Sequence, residues 1–83
     1  MKIGYVIAND NEEFLVFDQT TRHSSSRAWS VLPDLAQLFP SRRLAEKSAK
    51  LLDVENPLWV LQLIETPDNY LIRSESKDRP SWL

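Results

Sequence analysis

Hydrophobic positions are most concentrated near the end of the chain, where residues 58–64 form a nearly unbroken apolar run. A shorter apolar run, residues 70–72, follows the segment 66–69, which reads Thr-Pro-Asp-Asn. Pro67 restricts φ to the value required at the second position of a type I turn, and Asp and Asn favour the bend. The pattern predicts a β-hairpin whose first strand is buried on both faces.

Two further strands are predicted at the start of the chain. Residues 3–8 are largely apolar, residues 9–13 are polar and suit a turn, and residues 14–17 favour β structure. Because short loops join antiparallel neighbours, we expect these two strands to pair antiparallel. Residues 28–31 alternate in part between apolar and polar, which predicts a short third strand.

One amphipathic helix is predicted over residues 41–53, after a short helical turn at residues 34–39 that ends at Pro40. Ser41 is placed to cap the first free N–H groups of the helix. The expected buried side consists of Leu44, Ala45, Ser48, Ala49 and Leu52. The charged side consists of Arg42, Arg43, Glu46, Lys47 and Lys50. The small alanine side chains would let the helix lie close to a sheet.

These elements predict an α+β domain over residues 1–73, in the order β-β-(β)-α-β-β. We expect a small sheet of four to five strands, antiparallel or mixed, covered on one face by the single main helix. Residues 18–27 are polar and predict an exposed, mobile loop. Residues 74–83 have the composition of a flexible polar tail, although Trp82 and Leu83 are unusual at its end.

Composition excludes several classes of chemistry. The 83 residues contain no cysteine and one histidine, which excludes disulfides, thiol catalysis and ordinary zinc sites. A single glycine is incompatible with the Gly-rich loops that bind phosphates or dinucleotides, so we expect no cofactor and no metal. Without an apolar run of about 20 residues or a signal sequence, no membrane partner is expected and a cytoplasmic location is predicted.

Charge is unevenly distributed along the chain. The net charge is −2, but residues 20–50 hold six cations against two acids, a local charge of +4. These cations are Arg22, Arg27, Arg42, Arg43, Lys47 and Lys50. They predict a surface for an acidic protein or, as the alternative, for the phosphates of nucleic acid. The simplest interpretation remains a solvated helix face supported by a pair between Glu46 and Lys50.

Two aromatic or titratable side chains are further candidates for binding. His23 lies in the polar loop, where nothing would orient a base or build an oxyanion site, so we expect no catalysis and no enzyme. Trp82 suits a docking segment, because tryptophan is often a dominant contact residue at interfaces. The alternatives are that Trp82 folds back onto its own sheet or closes a dimer. A homodimer paired across an open sheet edge is also an expectation.

A sequence string around the helix resembles small accessory proteins of phages, plasmids and other mobile elements. The string runs between the strands at residues 5–7 and 59–61 and consists of Trp29, Ala36, Phe39, Pro40, Ser41 and Ala45. The resemblance covers roughly residues 3–65. It implies a ββαββ-type protein without catalytic activity, which binds a host protein and blocks or adapts it.

Overall fold

Five β-strands and one α-helix make up the structure, a computed structural model that describes residues 2–20, 25–52 and 57–83. The elements are β1 (Lys2–Asn9), β2 (Phe14–Thr20), β3 (Ser25–Ser30), a 3-10 helix (Pro33–Leu35), α1 (Arg42–Leu51), β4 (Leu58–Glu65) and β5 (Tyr70–Arg73). The predicted α+β class is confirmed.

The strands form one sheet in the order β3-β2-β1-β4-β5, and all neighbouring pairs are antiparallel. β1 lies at the centre and pairs with β4 along its whole length, from Lys2 opposite Glu65 to Asn9 opposite Leu58. The first strand is therefore held mainly by a strand more than fifty positions later in the chain.

β1 and β2 separate soon after the turn that joins them. The two strands are paired at one position, Ala8 opposite Phe14. Beyond that position the strands diverge, and residues 37–39 lie between them. The Phe39 amide donates to the Tyr5 carbonyl at 2.8 Å, and the Tyr5 amide donates back to the Phe39 carbonyl at 2.9 Å. Backbone groups that β1 would otherwise leave unpaired next to the core are thereby satisfied.

At this gap the chain passes from one face of the sheet to the other. Leu38 packs with the core on the first face, whereas Phe39 belongs to the core on the second. A β-carbon on Gly4 would lie 2.9 Å from Leu38 Cδ2 and 3.4 Å from the Phe39 carbonyl oxygen. The missing side chain of Gly4 gives Leu38 room to cross over β1.

Each face of the sheet carries its own core, because successive strand side chains point to opposite faces. The first core consists of Val6, Ala8, Phe14, Leu61 and Leu63. It is covered by residues 36–38 and by the end of the chain. The second core consists of Ile7, Leu15, Phe39, Ala45 and Leu52, and α1 covers it. In β4 only Leu61 and Leu63 are fully buried, and these two residues share one face of the strand. The prediction that this strand is buried on both faces is therefore an overstatement.

The helix starts where its capping residue predicts. The Leu44 amide donates to Ser41 Oγ at 3.3 Å, and the α-helix runs from Arg42 to Leu51. Ala45 is completely buried, as expected for a small residue at the contact with the sheet. The prediction for Leu44 is wrong, since this side chain is 46% exposed at the side of the contact.

The second hairpin closes through its predicted turn. The Thr66 amide donates to the Asn69 carbonyl at 2.9 Å, and the Asn69 amide donates to Thr66 Oγ1 at 3.1 Å. β4 and β5 pair antiparallel on either side, from Gln62 opposite Arg73 to Glu65 opposite Tyr70. Local turn chemistry therefore determines the register of this hairpin.

The predicted polar loop at residues 18–27 is wrong at both its ends. Asp18, Gln19 and Thr20 continue β2, and they pair with Arg27, Ser26 and Ser25 of β3. Residues 18–20 and 25–27 are all polar, so these ends of β2 and β3 carry no apolar alternation that would predict a strand. Residues 21–24, with Arg22 and His23, lie outside the described residues.

The helical turn expected at residues 34–39 is a shorter 3-10 helix, Pro33–Leu35.

The sequence predicts a flexible tail at residues 74–83, but the structure packs its end against the sheet. Pro80 is buried, and Trp82 and Leu83 contact the first core. The Trp82 indole N–H donates to the Asn9 carbonyl at 2.9 Å. Its ring meets Phe14 edge-on, with centroids 5.9 Å apart and planes at 83°. Of the alternatives for Trp82, the structure has the one in which it folds back onto its own sheet.

Candidate functional site

The cations of α1 are spread over the part of the helix that faces away from the sheet. Residues at 45, 49 and 52 contact the second core. A helical repeat of 3.6 residues places 43 and 47 opposite them, and 42, 46 and 50 along one flank. Arg43, Lys47 and Lys50 are exposed and Arg42 is half-buried. We call Arg43 and Lys47 the outer cations and Arg42 and Lys50 the flank cations.

Three of these four cations have no ion pair with any described carboxylate. Arg42 Nε lies 2.8 Å from Glu46 Oε1, in a pair four residues apart whose side chains are 41% and 47% exposed. Such an exposed pair contributes little to stability, so it can exchange for another partner at small cost. In the part of the chain that the structure describes, no carboxylate lies within ion-pairing distance of Arg43, Lys47 or Lys50.

The flank cations border an open groove with a volume of about 370 Å³. Its floor is the beginning of β4, formed by Leu58, Trp59 and Val60. The opposite wall belongs to the segment after β5 and includes Ser76 and Asp78. The helix side of the groove therefore carries Arg42 and Lys50 together with Glu46, and the wall from the chain end is polar and acidic.

Two hydrogen bonds hold the acidic wall in place. The Trp59 indole N–H donates to Asp78 Oδ1 at 3.2 Å. The Tyr5 hydroxyl donates to the Glu75 carboxylate, and this bond, with a smaller contribution from burial, raises the pKa of Tyr5 above its usual value. The guanidinium of Arg42 opposes that shift. Side chains of β1 and β4 thus anchor the segment that faces α1.

The predicted basic surface is divided by the fold. Arg42, Arg43, Lys47 and Lys50 stay together on α1, which contacts β1 and β4. Arg27 lies in β3, two strands away from β1 in the sheet order, and it has an interaction of its own. Arg22 and His23 belong to the undescribed residues 21–24. Trp82 is engaged in the first core, so the structure does not present it beside the helix.

The acidic wall is the part of the site that sequence reasoning missed. Residues 74–78 have a tail-like composition, and nothing local in them indicates order. The signal that could have found the wall is the apolar pair Trp82 and Leu83, because a chain end that packs must order the residues leading to it. The serine and acidic residues beside α1 are ordered as a consequence.

Residues 2–20, 25–52 and 57–83 contain no group of three His, Cys, Asp or Glu side chains able to hold a metal ion. No helix in those ranges is long and apolar enough to cross a membrane.

No protein-family model, curated protein sequence or solved structure matches this chain.

Proposed function

We propose that this chain is a non-enzymatic binding protein that docks the cationic side of α1 on an acidic surface of a partner protein. The observation that supports it is the exposure of the helix cations: Arg43, Lys47 and Lys50 face solvent, and no carboxylate among the described residues pairs with them. Cations whose only role was to keep the protein in solution would serve equally well if they were distributed over the whole surface. Here they lie together on one rigid element, α1.

The helix is held in a way that suits such a contact. Ser41 caps its start and Ala45 is fully buried against the sheet, so little backbone order has to be gained on binding. Exposed cations increase the rate at which the protein associates with an acidic surface. They also repel basic surfaces and so disfavour the wrong partners. In this proposal the protein acts in the cytoplasm as an adaptor or inhibitor, the role implied by the resemblance to accessory proteins of mobile elements.

Reversing the outer cations should abolish capture of the partner. We expect Arg43→Glu with Lys47→Glu to reduce recovery of one dominant protein from a lysate by at least about tenfold, because each reversal replaces attraction by repulsion. The matched control is Lys77→Glu with Arg79→Glu, which makes the same charge change at exposed positions outside the helix. Recovery is measured by quantitative mass spectrometry after affinity capture. Equal losses in both variants, or no dominant protein with the parent chain, would contradict the proposal.

Nucleic acid is the alternative ligand, and salt dependence separates it from a protein. We expect no complex with labelled duplex DNA or single-stranded RNA at about 0.15 M salt. Four helix cations can release few counterions, so log K should fall with log salt by a slope no steeper than about −4. Fluorescence anisotropy measures both quantities. Tight binding at that salt, lost in Arg42→Ala with Arg43→Ala, would favour the nucleic-acid function instead.

A further inference from the structure

α1 covers only part of the second face of the sheet. Its main contacts are with β4 and β1, and it is the only α-helix in the part of the chain that the structure describes. A helix is about 10–12 Å wide and strands lie about 4.8 Å apart, so one helix covers about two strands of the sheet. Over β2 and β3, beside α1, this face has room for a second helix in the same layer.

A small uncharged cleft lies where α1 borders this space. Its volume is about 110 Å³, and it is lined by Leu15 of β2, by Gln37 and Phe39, and by Ser48, Leu51 and Leu52 at the end of the helix. None of these described residues is charged, so the cleft suits an aliphatic side chain. Trp29 of β3, opposite Leu15, also packs against the second core and extends the apolar surface beyond the cleft.

One row of α1 residues runs along the cleft. Leu44, Ser48 and Leu51 follow one another at intervals of four and three residues, which is the spacing of a seam between two helices. Leu44 is exposed, and 75% of Leu51 is exposed. Two large apolar side chains are thus left in water at the positions that a second helix would bury.

Positive charge borders this row on its solvent side. The helical repeat places Lys47 beside Leu44 and Leu51, and Arg43 one turn before Lys47. Glu46 is the only carboxylate of α1, and it lies across the helix from the row, paired with Arg42. A segment packed on the row therefore meets a cation of α1 and none of its carboxylates.

The same charges argue against a second copy of this chain as the occupant. Antiparallel packing of two α1 helices through the row would bring their Lys47 side chains together, because the residues that flank a helix seam face one another across it. Like charges at such positions disfavour pairing. Carboxylates on the opposing helix would instead be complementary.

We propose that an amphipathic helix of the partner protein packs beside α1 on the row Leu44, Ser48 and Leu51, with an aliphatic side chain in the cleft and carboxylates facing Lys47. Helices bound in this way are held by apolar anchors at the same spacing, and the charges beside the anchors select the partner. The inference rests on the proposed function, since it specifies the part of the acidic partner that contacts α1.

A peptide titration tests the inference. The probe is a peptide of about 18 residues with blocked ends, in which leucines alternate at intervals of three and four residues and glutamates lie beside them. We expect amide chemical-shift changes at residues 44–51 and at Gln37, followed by NMR to millimolar peptide. Peptides with lysine in place of glutamate, or with a central proline that breaks the helix, should bind at least about tenfold more weakly. Equal binding of either control, or no binding, would overturn the inference.

A pair of leucine variants locates the site. Leu51→Gln should weaken the glutamate peptide by at least about tenfold, because it removes an apolar anchor. Leu71→Gln makes the same change at an exposed leucine of β5 and should leave the affinity within about twofold. Because both side chains are exposed, neither variant should shift the urea midpoint appreciably. Equal effects of the two variants on peptide affinity would contradict the proposed site.

Two other occupants of the row give distinct results. If the amides of residues 44–51 shift on dilution without peptide, a second copy of the chain packs there and the inference fails. Cosedimentation with phosphatidylserine vesicles that is lost in Leu51→Gln would assign the row to a membrane surface, which also overturns the inference.

Partner capture distinguishes failure of the inference from failure of the proposed function. If reversal of Arg43 and Lys47 abolishes capture while Leu51→Gln retains it, the proposed function stands and the helix site is wrong. If the glutamate peptide binds as expected but the parent chain captures no dominant protein, the helix site stands and the proposed function is wrong.

Discussion

Replacing Trp82 with alanine is expected to lower the free energy of unfolding by about 3 kcal/mol, the lower end of the range for removing a large aromatic side chain from a core. The indole ring packs edge-on against Phe14 with centroids 5.9 Å apart, and its N–H donates to the Asn9 carbonyl at 2.9 Å. Alanine would leave a cavity beside Phe14 and an unpaired carbonyl near the turn after β1. Urea denaturation followed by circular dichroism measures the loss.

The substitution Trp82→Phe provides the matched comparison. Phenylalanine keeps an aromatic ring near Phe14 but cannot donate to the Asn9 carbonyl, so we expect a smaller loss, of about 1–2 kcal/mol. If both variants unfold at the urea concentration of the parent protein, the chain end does not contribute to the core. The position of the acidic wall would then lose its explanation, because Trp82 is what anchors the end of the segment containing Asp78.

Replacing Ala45 with glutamate is expected to cost at least about 3 kcal/mol and to release α1 from the sheet. Ala45 has no exposed surface and lies in the second core with Ile7 and Leu15. A carboxylate there would be desolvated without a partner, and its side chain would also overfill a contact that accepts only a methyl group. Thermal unfolding and amide hydrogen exchange of α1 measure the two effects.

The neighbouring substitution Leu44→Glu is the control for Ala45→Glu. It introduces the same charge into the same turn of the helix at a side chain that is already 46% exposed. We therefore expect a loss below about 1 kcal/mol. Similar losses from the two variants would mean that helix propensity or charge, and not burial of Ala45, controls how α1 is held. The rigid presentation of the helix cations would then lack its structural basis.

Local signals in the sequence determined the elements whose causes lie within a few residues. Ser41 predicted the start of α1, and the Thr-Pro-Asp-Asn segment predicted the turn between β4 and β5. The position of Arg43 and Lys47 opposite Ala45 followed from the helical repeat alone. These features depend on backbone preferences and capping hydrogen bonds that involve neighbours in the chain, so they can be predicted without knowledge of the rest of the fold.

Only the tertiary structure decided which elements meet. β1 lies between β2 and β4, residues 37–39 pass through the gap between β1 and β2, and Trp82 reaches back to Asn9. Each of these contacts joins residues that are distant in the chain, and their energies come from burial shared among many side chains. The groove beside α1 is a product of the same contacts, because the segment that forms its second wall is ordered only when the end of the chain packs. No pattern within that segment itself could have predicted it.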